Sequence, residues 1–257
     1  LIEIEGTYGL AVIFKNEPGK IIVAKKGSPL VIGVGKKENY IASDVNALLS
    51  HTKHVVYLED GEIAEVTDSS FKVRSIEDND IEKEIIELTM SLDEIDRGGY
   101  STFMLKEIME QPESVKNSMR GRLILDEGSA KLGGLEDVSE RLLHSKRFII
   151  SACGTSWHAG MVGEYMFEQF LRVPTEVEYA SEFRYRNPVL YEDDTIFFIS
   201  QSGETADTLA ALKEAKRKGA LCLGICNAVG SSIARESDGG VYIHAGPEIG
   251  VASTKAF

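Results

Sequence analysis

Positive charge, histidine and cysteine are all scarce in this chain of 257 residues, and each shortage removes a class of function. Asp and Glu outnumber Lys and Arg by 41 to 28, leaving a formal net charge of -13 at pH 7. A general binder of nucleic acid or anionic membrane needs a cationic surface that displaces counterions, so neither partner is expected. A local anion ligand survives this argument. At physiological salt the Debye length is only about 8 Å, so a few oriented donors attract an anion that the whole surface repels. The five histidines, at 51, 54, 144, 158 and 244, are scattered and form no His-Glu-x-x-His pattern, so no metal role is expected. The three cysteines, Cys153, Cys222 and Cys226, are an odd number without a secretory signal, which points to a reducing compartment and a cytoplasmic protein. No apolar run approaches membrane-spanning length. The opening Leu1-Ile2-Glu3-Ile4-Glu5-Gly6 lacks the basic start and apolar core of a signal peptide. A start at Leu1 and an apolar end at Phe257 point to an excised fragment.

What is present divides into two styles. Up to about residue 75 the pattern is β-rich, with runs at Tyr8 to Phe14, Lys20 to Ala24, Leu30 to Gly33, Tyr40 to Ser43, Val55 to Leu58, Glu62 to Val66 and Phe71 to Val73. Asn16-Glu17-Pro18-Gly19 and Glu59-Asp60-Gly61 read as hairpin turns. Asp44 to Leu49 reads as a short helix capped by Ser43 or Asp44. The acidic stretch Ser75 to Arg97 reads as a solvated face or linker running into Ile85, Ile86, Leu88 and Met90. Thr102 opens a helical pattern through Met104 and Ile108, with Pro112 marking a break or kink before a second turn through Val115 and Met119. From Gly133-Gly134 onward helices and strands alternate: Leu135 to His144 helical, Arg147 to Ala152 strand, Trp157 to Leu171 helix, Thr175 to Tyr179 strand, Ala180 to Tyr185 helix start. Strands Thr195 to Ile199 and Leu221 to Cys226 flank a helix from Ala206 to Lys218, and Val241 to His244 is a last strand. Such alternation implies a parallel sheet with helices on both faces and ligands at the carboxyl ends of its strands.

Thr195 to Thr208 is the stretch on which a function is most legible. Ile196 to Ile199 is an apolar run suited to a strand buried on both faces. Ser200, Ser202, Gly203, Thr205 and Thr208 follow at the start of a helix that Gly219 ends. First-turn amides have no internal partners and carry partial positive charge, so hydroxyls and a glycine around them suit an anion. The turn is neither a Walker loop nor a Gly-x-Gly-x-x-Gly fingerprint. For one serine an ordinary N-cap is the better reading, with Ser202 satisfying the orphan amides and Thr205 and Thr208 solvated; four hydroxyls around one helix start bring an anion site level with it. A second turn, Cys153-Gly154-Thr155-Ser156, repeats the arrangement after Arg147 to Ala152 and aims at the same crevice. Cys153 lacks a basic neighbour and reads as small-residue packing rather than a nucleophile. Cys222 and Cys226 read as core residues. A third loop, Gly246 to Lys255, offers a carboxylate, two hydroxyls and an ammonium, or is simply a polar surface loop.

The motifs Cys153-Gly154-Thr155-Ser156, Ser200-Gln201-Ser202-Gly203-Glu204-Thr205-Ala206-Asp207-Thr208 and Glu248-Ile249-Gly250-Val251-Ala252-Ser253-Thr254-Lys255 resemble those of the glutamine:fructose-6-phosphate aminotransferase (isomerizing) family. The resemblance extends to Gly27-Ser28-Pro29-Leu30-Val31-Ile32-Gly33, Ile41-Ala42-Ser43-Asp44, Lys106-Glu107-Ile108-Met109-Glu110-Gln111-Pro112 and Ala180-Ser181-Glu182-Phe183-Arg184-Tyr185-Arg186, in the family's order. It implies an α/β fold in which a partial N-terminal-nucleophile glutaminase segment (residues 1–75) is followed by connecting helices (76–134) and a flavodoxin-like sugar-isomerase, or SIS, subdomain (135–257). It also implies that hydroxyls of Ser156, Ser200, Ser202 and Thr205, with Gln201, hold the phosphate of fructose 6-phosphate, and that Thr155, Val251 and Ser253 contact the sugar. No cofactor or metal is implied. The family's cysteine nucleophile and glutamine-binding residues would precede Leu1, and its Schiff-base lysine, glutamate and histidine would follow Phe257. Glutamine is therefore a substrate of the full-length protein only, and the pairing of SIS domains implies a homodimer for that protein. The rival reading is a non-catalytic sugar-phosphate regulator built on the same subdomain. Such a regulator would carry a basic DNA-binding module, which residues 1–75 do not resemble.

Overall fold

The computed structural model of the protein describes residues 1–88 and 97–257. Two compact units divide the chain, Leu1–Asp96 and Arg97–Phe257. Among the described residues no helix is long and apolar enough to cross a membrane.

The first unit consists of two antiparallel sheets. One has the order β1-β2-β6-β7-β8, built from β1 (Tyr8–Phe14), β2 (Glu17–Lys26), β6 (Glu62–Val66), β7 (Phe71–Ser75) and β8 (Asp80–Ile81). The other has the order β4-β3-β5-β9, from β3 (Val31–Val34), β4 (Asn39–Ala42), β5 (His54–Tyr57) and β9 (Ile86–Glu87). Alternation along the strands decides which side chains meet. Ile32 and Val56 join Val23, Ala64, Val66 and Val73 in one core, while their neighbours Val31 and Val55 pack on the opposite face with Leu48 and Leu49.

Three expectations for this unit change. The first hairpin turns at Lys15-Asn16, not at Asn16 to Gly19, and Phe14 pairs with Glu17 across a bulge. Pro18 then falls in the end of β2 that projects past its pairing with β6, where no ladder donor is needed. The expected helix over Asp44 to Leu49 is a single 3-10 turn, Val45–Ala47. The acidic stretch is not merely a linker, because Asp80–Ile81 pairs with β7 and Ile86–Glu87 with β5. Its carboxylates have partners there, Asp78 and Asp80 on Arg74 at 2.9 and 3.0 Å. The remainder of that stretch, residues 89–96 with Met90, lies outside the described residues.

The second unit opens with α1 (Phe103–Met119), whose N-cap Thr102 accepts a hydrogen bond from the Leu105 amide at 3.1 Å. The helix continues through Pro112, contrary to the expected break. Both halves are tied to one segment near the end of the chain, through Gln111 to the Thr254 carbonyl and through Ser114 to the Lys255 carbonyl, and this outweighs the single amide that proline removes. A small hairpin of β10 (Leu123–Ile124) and β11 (Ser129–Ala130) follows, which the periodicity does not foretell. The expected helix Leu135 to His144 divides into a 3-10 segment, Gly133–Val138, and α2 (Ser139–Leu143).

The parallel sheet comprises β12 (Arg147–Ala152), β13 (Thr175–Tyr179), β14 (Asp194–Ser200), β15 (Leu221–Cys226) and β16 (Gly239–Tyr242), in the order β13-β12-β14-β15-β16. Its connecting helices are α3 (Gly154–Leu171), α4 (Ala180–Tyr185), α5 (Ala206–Arg217) and α6 (Ser232–Glu236). Numbered within the sheet this is 2-1-3-4-5, the flavodoxin-like order, in which the chain reverses its direction of growth between the first and third strands. Both faces are apolar. Ile149, Ile196 and Phe198 pack under Phe183, Leu209 and Leu212 on one side, while Phe148, Ile150, Phe197 and Leu223 pack under Phe167 and Leu135 on the other. Burial of a side chain of this size contributes about 1.5–3 kcal/mol, so the strands are held in place from both sides. Cys222 and Cys226 belong to this core, and burial pushes their thiols up to about 12 and about 11.

Candidate functional site

The reversal point in the sheet lies between β12 and β14, whose carboxyl ends are neighbours in register, Ala152 opposite Ile199. Each strand then enters a helix through a turn rich in hydroxyls. After β12 the chain passes Cys153 in an extended conformation, and α3 begins at Gly154 with no side chain capping it. Thr155 and Ser156, both half-buried, occupy its first turn.

After β14 the turn is more tightly organised. The hydroxyl of Ser200, a residue only 2% exposed, accepts a hydrogen bond from the Gly203 amide at 3.0 Å and lies 2.9 Å from Thr205 Oγ1. Ser202 Oγ accepts from the Glu204 amide at 3.2 Å, and so acts within the turn rather than as the cap of the helix. That cap is Thr205, and its side chain makes no capping bond. The first amides of α5 are therefore left unpaired by side chains, as are those of α3, and two electropositive helix ends stand on adjacent strands. Thr208, fully buried, joins the two turns through Oγ1 donating to Cys153 Sγ at 3.8 Å. Cys153 accordingly packs between the turns.

Backbone and side chain from α6 hold the Ser202-Gly203-Glu204 turn from behind. The Ile233 amide donates to the Gly203 carbonyl at 2.9 Å, and Glu204 Oε1 accepts from the Ser232 amide at 2.7 Å. Glu204 is thus occupied in structure. Gln201, half-buried, uses its carbonyl to accept from the amides of Asn227 and Ala228 at 3.1 and 3.2 Å.

The third loop is not a polar surface loop. Glu248 and Lys255 are 7% and 8% exposed. Glu248 Oε1 accepts from the amides of Thr254 and Lys255 at 2.7 and 2.9 Å, and Lys255 Nζ donates to Glu110 Oε2 at 2.6 Å. The carboxylate and ammonium that the sequence offered to a ligand are consumed inside the protein. What the loop presents outward is Val251, fully exposed, while the Ser253 hydroxyl is enclosed without a hydrogen-bond partner among the described residues.

The structure therefore brings Ser200, Gln201, Ser202 and Thr205 into one turn and sets Thr155 and Ser156 on the adjoining strand end. Val251 and Ser253 lie on a separate strap. Among the described residues no hydrogen bond joins them to either turn. The link is Asn227, which the sequence reading passed over: its amide meets Gln201, its Nδ2 donates to the Gly246 carbonyl at 2.6 Å, and its Oδ1 accepts from the Ala245 amide at 2.8 Å. A signal for it was available, since Asn227 directly follows the buried strand Leu221 to Cys226 at the same edge of the sheet.

With this geometry in hand, comparison with known proteins is informative. Residues 141–257 match the SIS domain family. A glutamine–fructose-6-phosphate aminotransferase (isomerizing) of Chlorobaculum tepidum is 58% identical over 257 residues, which cover 100% of this chain and 42% of that protein. Its namesake in Bacteroides thetaiotaomicron is 52% identical over 258 residues, with 100% and 42% covered. Among solved structures, the C-terminal domain of glucosamine-fructose-6-phosphate aminotransferase from Francisella tularensis superposes with a TM-score of 0.58 at 45% identity, covering 63% of this chain and 45% of that one. The chain spans well under half the length of the curated relatives it matches. Over its whole length it is a relative of the glutamine–fructose-6-phosphate aminotransferases, and its residues 141–257 form an SIS domain.

Proposed function

We propose that the two turns at the reversal point hold the phosphate of fructose 6-phosphate, through the hydroxyls of Ser156, Ser200, Ser202 and Thr205 with Gln201 alongside. Thr155, Val251 and Ser253 contact the sugar in this reading. The full-length protein then converts fructose 6-phosphate and glutamine to glucosamine 6-phosphate and glutamate: hydrolysis of glutamine releases ammonia, which condenses with the C2 carbonyl of the open-chain ketose with loss of water, and a proton transfer from C1 to C2 gives the aldose. Residues 1–75 belong in this proposal to the glutaminase part, and the enzyme is a cytoplasmic homodimer.

The observation that carries the reading is the pair of helix N-termini without side-chain caps, side by side and lined by hydroxyls. Such termini bind phosphate through backbone amides without needing a lysine. The work of the cradle is orientation. A phosphate fixed at one end of the molecule sets C1 and C2 at a constant distance from the groups that react with them, which removes translational and rotational freedom before the chemical step.

Calorimetric titration with fructose 6-phosphate tests the cradle. Hydrogen bonds to a charged group contribute about 1.5–3 kcal/mol each, so Ser202→Ala with Thr205→Ala is expected to weaken binding by at least about 100-fold. Circular dichroism of the variant should be unchanged. Unaltered affinity in the folded double variant would remove the phosphate from this turn.

A further inference from the structure

The helix α1 precedes the sheet, and its Glu107, Glu110, Gln111 and Ser114 side chains are aimed at the strap 246–256. Glu107, only 2% exposed, accepts from the Ile249 amide at 2.6 Å with Oε1, and from the Gly250 amide at 3.1 Å with Oε1 and 3.2 Å with Oε2. One turn further on, Glu110 receives Lys255 Nζ and Gln111 donates to the Thr254 carbonyl at 2.8 Å. Ser114 donates to the Lys255 carbonyl at 2.9 Å. Glu248 closes the strap upon itself by accepting the Thr254 and Lys255 amides.

Two buried carboxylates that spend their acceptors on backbone amides of one short segment are costly unless fully satisfied, and here they are. The result is a segment whose backbone is fixed at both ends. Between those fixed points stand Val251, fully exposed, and Ser253. The contact is close enough to require glycine. A Cβ on Gly250 would lie 2.5 Å from Glu107 Oε2.

We propose that Glu107 is a positioning residue for the sugar: by holding the amides of Ile249 and Gly250 it sets Val251 and Ser253 where a sugar joined to the bound phosphate is read. This rests on the sugar-phosphate assignment above and adds a division of labour to it. The turns after β12 and β14 bind the phosphate, and the clamp from α1 supplies discrimination between a sugar phosphate and phosphate alone. Glu107 acts through the strap and touches no substrate.

The test titrates the whole chain with two probes, fructose 6-phosphate and inorganic phosphate. The parent chain should bind the sugar phosphate more tightly. Glu107→Gln keeps one acceptor but turns an amide group toward the backbone donors and loses the charge, so affinity for fructose 6-phosphate should fall about tenfold. Affinity for inorganic phosphate should not change. Gly250→Ala, whose added methyl forces the strap and the Glu107 carboxylate apart while leaving the charge in place, should give the same split. Hydrogen exchange at the Ile249 and Gly250 amides should quicken in both variants while the amides of 154–156 stay as they were. Unchanged fructose 6-phosphate affinity in Glu107→Gln, or an equal loss for both probes, would overturn the clamp's role. A parent chain that binds phosphate without preferring the sugar phosphate would overturn it too, leaving the phosphate turns intact. A parent chain that binds neither probe would overturn the sugar-phosphate reading and the clamp together.

Discussion

Gly203→Ala is expected to lower the stability of the second unit by about 3 kcal/mol and to abolish sugar-phosphate binding by the molecules that still fold. Two costs combine. Gly203 sits at φ +66°, where an L side chain crowds the following carbonyl at a cost of roughly 1–2 kcal/mol. Its added Cβ would also lie 1.9 Å from Ser231 Oγ and 2.4 Å from Ser231 Cβ, an overlap that only a shift of the turn or of α6 relieves. Forced repacking of this kind costs about 1–3 kcal/mol. If the turn moves, the Gly203 amide leaves Ser200 Oγ and the Gly203 carbonyl leaves the Ile233 amide; if α6 moves, the second bond is lost and the turn loses its support from behind, and in either case the hydroxyls lose their common orientation. Urea unfolding of the single variants and of Gly203→Ala with Ser231→Gly separates the two costs. The double variant should recover the overlap part, and a cycle showing no coupling would contradict the packing described here.

At the opposite edge of the same sheet, Asp194→Ala is expected to cost about 3–5 kcal/mol, the range for removing one partner of a buried ion pair, while leaving the folded molecules able to bind. Asp194 is 2% exposed. It accepts from Arg147 Nε at 3.0 Å and Nη2 at 2.5 Å, and from the Tyr191 amide at 2.8 Å. The pair holds together the starts of β12 and β14, and the Asp194 carboxylate beside Arg147 holds its guanidinium above the usual value. Removing the carboxylate leaves Arg147 with the Val189 carbonyl at 2.9 Å and with Glu176, which is half-exposed and 3.4 Å away, and takes the acceptor from the Tyr191 amide. Thermal unfolding together with titration of the surviving fold checks both halves of this expectation. A stable variant, or a folded one that no longer binds, would each count against it.

The contrast between these two positions shows what the chain makes legible. Ile196 to Ile199 and the hydroxyls that follow are contiguous, so strand, turn and helix start can all be read locally, and the neighbouring turn at Cys153 to Ser156 obeys the same rule. The alternation of strand and helix makes the parallel sheet legible, while its flavodoxin-like order is implied only by the resemblance. Interactions across long separations are a different matter. Nothing local in Glu107 announces that it caps amides 142 and 143 positions later, and nothing in Lys255 says that Glu110 takes its charge. The acidic residues near Asp80 look like a solvated run because their cationic partners, Lys72 and Arg74, lie in the preceding strand. Pro112 was misread for the same reason, since the bonds that keep α1 continuous come from the far end of the chain. Ser202 does not take the capping role expected of it, because the N-cap position falls on Thr205 and the Ser202 hydroxyl is taken by the Glu204 amide within the turn.

The phosphate reading comes down to which backbone amides feel the ligand, and amide chemical shifts in a 15N-labelled chain titrated with fructose 6-phosphate report that directly. The largest changes should fall on Gly154, Thr155 and Ser156 and on Ser202 through Asp207, with smaller ones at Val251 to Ser253 and none along Arg147 or Asp194. Saturable binding whose shifts leave both turns undisturbed would contradict the account.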